Sequence, residues 1–135
     1  MTGVKTFATT GASAPPRGHY SHAVSAGGFV YTSGQLPLRP DGSIDPKMSF
    51  GEQARQTLAN LKAALEVAGA RIEDVVKVTV YIANIDNWAE FNVAYAELFK
   101  EHRPARAVVP VLPLHYDFGL EVEAVAFVGD RSAAG

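Results

Sequence analysis

The alternation of apolar and polar positions divides this chain into strand-like runs of period two and two helical stretches of period near 3.6. Lys5 to Thr9 is a short strand candidate, and Gly11 to Gly18, rich in Pro, Gly, Ser and Ala, reads as loop. His19 to Ala26 and Phe29 to Gln35 flank Gly27-Gly28. A Gly-Gly pair supplies the positive φ angles of a tight turn, so the two runs predict a β-hairpin. Pro37, Pro40, Asp41 and Gly42 close that unit with turn chemistry.

Ser49 and Glu52 form a capping-box pattern, and Ala54, Leu58, Leu61, Leu65 and Ala68 then recur at helical spacing until Gly69. A second helix is predicted from Asp86 or Asn87 to about Lys100, with Asn87 and Glu90 as a further capping box and Trp88, Phe91, Ala94, Tyr95 and Leu98 on its apolar side. Between the helices, Val75 to Ile82 is a strand. Its alternation predicts Val76, Val78, Val80 and Ile82 facing the helices, and Val75, Lys77, Thr79 and Tyr81 facing away.

Pro104 prevents the second helix from continuing. The stretch to Phe127 reads as two strands joined by a connector that contains His115 and Tyr116. In the last strand Leu120, Val122, Ala124, Ala126 and Val128 share one face, and Glu121, Glu123, Val125 and Phe127 the other. Residues 129–135 are a small, polar tail that reads as frayed. The order β-β-β-α-β-α-β-β predicts an α+β protein, one mixed sheet with two helices packed on one face. The other face carries Val125 and Phe127 beside the glutamates, too apolar for comfortable exposure. Burial against other copies of the chain is the economical answer, which predicts a closed homo-oligomer with pockets near subunit contacts.

The 135 residues suffice for one domain, 1–135, and not for two. With 47% apolar and 19% charged residues the chain is not of the disordered class. A formal charge of −2 without a basic run gives no electrostatic footprint for nucleic acid or an anionic membrane. The absence of cysteine removes disulfides, thiolate nucleophiles and Cys-ligated metals. Met1 to Pro16 has no apolar core of signal-peptide length, and no run approaches the roughly 20 residues of a membrane span, so the chain reads as cytoplasmic.

A guanidinium or carboxylate set into an apolar strand needs a partner or a task. Arg106 is either a bidentate fork for a substrate carboxylate, aided by the backbone amide of Val108, or one end of a salt bridge to Glu121 or Glu123. Glu121 and Glu123 lie on one face roughly 6–7 Å apart. One can pair structurally while the other faces a pocket, and burial of Glu121 would raise its pKa toward proton transfer near neutral pH. Tyr20 and Ser33 are hydroxyls able to reach a ligand, although Ser33 lacks any nucleophile-elbow pattern. Asn92 shares a helix side with Trp88, Tyr95 and Phe99. His19, His22, His102 and His115 show no metal-ligand spacing, and no phosphate-binding glycine loop is present, so no metal or nucleotide cofactor is expected.

Several separated segments together resemble the Rid/YjgF family of reactive-intermediate (enamine/imine) deaminases. They are residues 18–24, 31–37, 53–61, 75–81, 91–95, 103–106 and 120–126, in the family's order and covering nearly the whole chain. The resemblance implies a chorismate-mutase-like fold and a homotrimer whose sheets form a central barrel, with active sites in clefts between subunits. It implies hydrolysis of 2-aminoacrylate, 2-iminopropionate and similar carboxylate-bearing enamines or imines to 2-keto acids and ammonia, without metal or cofactor. By the same resemblance Arg106 holds the substrate carboxylate, Glu121 positions or activates water, and Tyr20, Ser33 and Asn92 occupy pocket positions. The chain departs from the family pattern at His19 and His22, at Ala107 and Val108 after the arginine, and in the connector bearing His115 and Tyr116. These departures leave open a specialised deaminase or tautomerase acting on a larger substrate. A non-catalytic trimer that binds 2-keto acids or a protein partner is the alternative outside enzymology. Ribonuclease or translation inhibition, also attached to the family, fits the acidic balance least.

Overall fold

The computed structural model describes residues 3–129, so the tail beyond Gly129 lies outside the described residues. The elements are β1 (Lys5–Phe7), β2 (Ala23–Ala26), β3 (Phe29–Thr32), α1 (Phe50–Val67), β4 (Val75–Ile82), α2 (Trp88–Phe99), β5 (Ala105–Pro110) and β6 (Leu120–Phe127). They occur in the predicted order. The six strands form one sheet, β1-β2-β3-β6-β4-β5, in which β4 and β5 run parallel and all other neighbours are antiparallel. The parallel pair is joined through α2, so β5 ends at the edge of the sheet. Both helices cover the same face, packing Leu58, Leu61, Leu65 and Phe91 onto Val78, Val80, Leu120 and Val122.

Local chemistry accounts for the best-defined elements. At the start of α1 the Glu52 amide donates to Ser49 Oγ (3.2 Å) and the Ser49 amide to Glu52 Oε1 (3.1 Å), the expected capping box. Each leucine of its buried stripe contributes roughly 2 kcal/mol. Gly69, at φ +87°, turns the chain out of the helix while the Ala70 amide donates back to the Leu65 carbonyl (2.9 Å). The β2–β3 hairpin turns on Gly27 and Gly28, both at positive φ, as the dipeptide required.

Three expectations are corrected. First, β2 and β3 are shorter than their apolar runs. Residues 19–22 leave the sheet because the His22 side chain turns inward, where its Nδ1 accepts from the Thr9 amide (2.9 Å). Gln35 rejoins only as an isolated bridge to Val122. Second, the alternation in β4 breaks at its start: Val75 pairs with Ala126 and Lys77 with Val125, so two residues oppose one. This bulge buries Val75 and turns Val76 outward at 44% exposure, the reverse of the period-two reading. The Val75 carbonyl there accepts from His102 Nε2–H (2.7 Å). Third, Asn87 makes no capping hydrogen bond. Asn84 Oδ1 instead accepts from the Asp86 amide (3.0 Å), and a short 3-10 turn at Ile85–Asn87 leads into α2, leaving Trp88 exposed.

Candidate functional site

Strand parity assigns Arg106 and Glu121 to different sides of the sheet. Arg106 is in register with Val78, which pairs with Ala124; all three point to the helix-covered face. Glu121 is in register with Tyr81, which pairs with Val109, on the open face. Within one chain Arg106 therefore cannot form the salt bridge to Glu121 or Glu123 that its strand position allowed, and it is not brought beside a carboxylate. The predicted site residues fall instead into two clusters.

The first cluster joins β5 to α2. Arg106 donates from one terminal nitrogen to Asn92 Oδ1 (2.8 Å), and its guanidinium carbon lies 4.6 Å from the centroid of the Tyr95 ring. The Tyr95 ring itself stacks on Phe99 at 4.3 Å. Asn92 and Tyr95 are one helical turn apart and so project to the same side. The arginine is thus fixed at one edge and across one face, leaving its other nitrogens for an anion. The Tyr95 hydroxyl is buried without a hydrogen-bond partner among the described residues, and burial pushes its pKa up to about 12 against the opposing pull of Arg106.

The Val108 side chain shares Arg106's direction and packs against the core. The backbone direction of β5 follows from its end, where the Val111 amide donates to the Ile82 carbonyl (2.9 Å). Amide direction alternates along a strand, so Ala107 and Val109 turn toward β4 while Arg106 and Val108 turn to the open edge. Pro110, which has no N–H, occupies the next outward position, as edge geometry permits.

The second cluster surrounds Glu121. Its half-buried carboxylate accepts no hydrogen bond among the described residues. Burial, and then the charge of Glu123, push its pKa above the ordinary carboxylate value, with His115 opposing. Glu123 is better provided for: the Tyr81 hydroxyl donates to it (3.2 Å). Gly34 passes so close that a Cβ there would stand 2.8 Å from the Glu121 carboxyl carbon. Ser33 lies beside Gly34 and donates its hydroxyl to the Ser21 carbonyl (2.6 Å), so only its lone pairs remain for a ligand. Tyr20 is 48% exposed, and its hydroxyl accepts from the Arg17 amide (3.3 Å). Arg17 also lies 5.7 Å from the centroid of the Tyr116 ring, which ties the Tyr20 segment to the connector. That connector turns sharply, with Tyr116 and Asp117 both at positive φ, and His115 stacks on Tyr116 at 5.1 Å.

In sequence Tyr95 reads as part of an apolar stripe, and Gly34 carries no mark of a site residue. The three-residue spacing of Asn92 and Tyr95 was the available signal for the first; nothing in the sequence announces the second. The histidines are dispersed: His22 is buried against Thr9, His102 is bound to Val75, and His115 lies on the connector. Among the described residues no group of three His, Asp or Glu side chains could hold a metal ion, and no helix is long and apolar enough to cross a membrane.

Residues 11–128 match the family described as Endoribonuclease L-PSP. A RutC family protein of Pyrococcus horikoshii is 44% identical over 112 residues, 83% of this chain and 89% of that one. The 2-iminobutanoate/2-iminopropanoate deaminase of Escherichia coli is 40% identical over 125 residues, 90% of this chain and 96% of that one. Among solved structures, yeast Mmf1 superposes with a TM-score of 0.85 at 37% identity, covering 92% of this chain and 98% of that one. Escherichia coli TdcF, solved with bound serine, gives 0.83 at 36%, covering 91% and 98%.

Proposed function

Because the chain belongs to the Rid/YjgF family, we propose that it hydrolyses 2-imino and enamine acids of the 2-iminopropionate type to 2-keto acids and ammonia. The observation that carries this reading is Arg106. A guanidinium held by Asn92 and Tyr95, with nitrogens to spare and the Val108 amide on the same sheet edge, is a ready receptor for the carboxylate of a small acid. Imines are already electrophilic, so an oriented substrate and one proton-exchanging group suffice.

Glu121 is that group. Its raised pKa, caused first by burial, suits it to exchange protons with water and imine nearer neutral pH than an ordinary carboxylate. Water adds across the C=N bond: its oxygen bonds to carbon and the nitrogen gains a proton. The carbinolamine then breaks its C–N bond, ammonia leaves, and the hydroxyl proton is given up as the keto group forms. Tyr20 and the lone pairs of Ser33 line the Glu121 half, and Asn92 keeps Arg106 in place.

Since Arg106 and Glu121 occupy opposite faces of one sheet, a complete site requires the Arg106 half of one copy and the Glu121 half of another. A homotrimer with its open sheet faces turned into a central barrel meets that need. It also covers Tyr31, Val125 and Phe127, which the single chain leaves wholly or partly exposed. A chain without cysteine is compatible with the cytoplasm, the compartment this reading assigns it. The endoribonuclease description has less support here, since the formal charge is −2 and the sequence holds no long basic run.

The test generates 2-iminopropionate in situ from an amino acid and follows its capture by semicarbazide. Wild-type protein should suppress semicarbazone formation by hydrolysing the imine first. Suppression no greater than in buffer, or equal suppression by Arg106→Ala, defeats the reading.

A further inference from the structure

Beside Arg106 lies a cleft of about 320 Å³, bounded by the end of α2, residues 100–104 and the start of β5. Its floor is aromatic, the stacked rings of Tyr95 and Phe99. Its titratable lining is otherwise basic throughout: Lys100, His102, Arg103 and Arg106, with no carboxylate among the lining residues. The adjoining groove of about 510 Å³, which shares Phe99, Lys100 and His102, differs in carrying four glutamates against three lysine or arginine side chains.

Two of the cleft's cations are also uncommitted. Among the described residues Lys100 and Arg103 pair with no carboxylate, although Glu101 lies between them in sequence; Arg39, Arg55, Lys62 and Arg71 do, and Arg17, Lys47 and Lys77 do not. Their backbone is held from both ends. The Lys100 amide donates to the Ala96 carbonyl (2.9 Å) with Lys100 at φ +53°, and His102 is bound through Nε2–H to Val75. In a chain of net negative charge this is a local concentration of unneutralised cations around a concave, apolar-floored space, which is the makeup of a site for a small anion.

The geometry points to a second anion subsite: the cleft takes the distal carboxylate of a dicarboxylic 2-imino or 2-keto acid whose first carboxylate is held by Arg106. This rests on the clamp reading of Arg106 and goes beyond it by naming a substrate class. A three-carbon imino acid leaves most of the cleft empty. A chain of four or five carbons with a terminal carboxylate spans from Arg106 toward Lys100 and Arg103 while laying its methylenes on Tyr95 and Phe99.

The stable keto-acid products serve as probes. Binding of 2-oxoglutarate and 2-oxobutyrate to the full chain is measured by calorimetry at one matched ionic strength, for wild type, Lys100→Gln/Arg103→Gln, Arg103→Gln alone, and Lys47→Gln as a remote surface control. Wild type should prefer 2-oxoglutarate by about tenfold, two exposed ion pairs' worth. The double variant should erase that preference and leave 2-oxobutyrate within about twofold; Arg103→Gln should lose part of it, and Lys47→Gln none. Arg103→Gln keeps the test valid if the positive-φ position at Lys100 makes the double variant fold poorly. Equal binding of the two acids by wild type, or equal weakening of both in the variants, overturns the subsite while leaving the clamp intact. Binding of neither acid overturns the clamp and the subsite together.

Discussion

Arg106 and Glu121 are both charges set into apolar strands, yet the chain treats them in opposite ways. Arg106 is satisfied at one edge by Asn92 and across its face by Tyr95, while Glu121 is half-buried, receives no hydrogen bond among the described residues, and has a neighbouring glutamate that raises its pKa further. The difference matches the two tasks proposed for them. A group that must keep its charge and hold an anion gains from being fixed in advance, and a group that must change charge gains from an environment that brings its two protonation states closer in energy. On the proposed reading the clamp half is finished in the single chain, and the proton-transfer half awaits a covering surface.

The largest test of that contrast is complementation. Arg106→Ala and Glu121→Gln should each reduce kcat/KM by roughly 10²-fold or more. Co-refolding the two inactive variants should restore a substantial fraction of activity, because mixed assemblies contain sites whose Arg106 and Glu121 halves are both intact. Absence of recovery breaks the assignment of the halves to different copies.

Next comes pH. The acid limb of the wild-type kcat/KM profile should lie above the ordinary carboxylate range, and Glu121→Gln should abolish it. The sign of the stability effect is opposite to that of a salt-bridged carboxylate. A raised native pKa costs nothing while the group is protonated in both states, and destabilises the fold as pH rises through that pKa. Glu121→Gln should therefore melt higher than wild type at neutral pH, with the gap closing below about pH 4. An equal gap at both pH values would assign the gain to something other than the charge.

A smaller effect separates the ring of Tyr95 from its hydroxyl. Tyr95→Leu removes the face under Arg106 and should raise KM for 2-iminopropionate by about fivefold, with little change in kcat. Tyr95→Phe retains the face and discards an unpartnered hydroxyl, so its KM should match wild type and its melting temperature should not fall. Loss of function in Tyr95→Phe would show that the hydroxyl, and not the ring, matters. Smallest is Gly34→Ala, whose methyl would collide with the Glu121 carboxyl group. It should lower kcat by severalfold, about 1 kcal/mol of barrier, and leave 2-oxobutyrate binding at Arg106 unchanged.

The elements that were readable from sequence are those whose cause is local. Ser49 and Glu52 satisfy each other within one turn, Gly27-Gly28 needs only its own backbone, and the parity of β6 runs unbroken from Leu120 to Val128. The bulge at Val75 and Val76 was not readable, since both residues are valine and the slip depends on the partner strand and on His102. Asn87 offered a good cap on paper, but Asn84 starts the turn three residues earlier. At the site, the side chains of Arg106 and Val108 could be paired by parity. Which face they occupy depends on β5 lying parallel to β4 at the sheet edge, a consequence of topology that no short pattern contains.

The alternation of amides along β5 has one more consequence, concerning what the edge excludes. The outward positions of this segment are 104, 106, 108 and 110, and the first and last are prolines. An incoming β-strand would find two amides to pair with, bracketed by rings that cannot donate, too short a ladder to extend the sheet. The same two amides are ample for one small carboxylate. By this placement of Pro104 and Pro110 the edge is kept closed to aggregation and open to the small acid proposed as substrate.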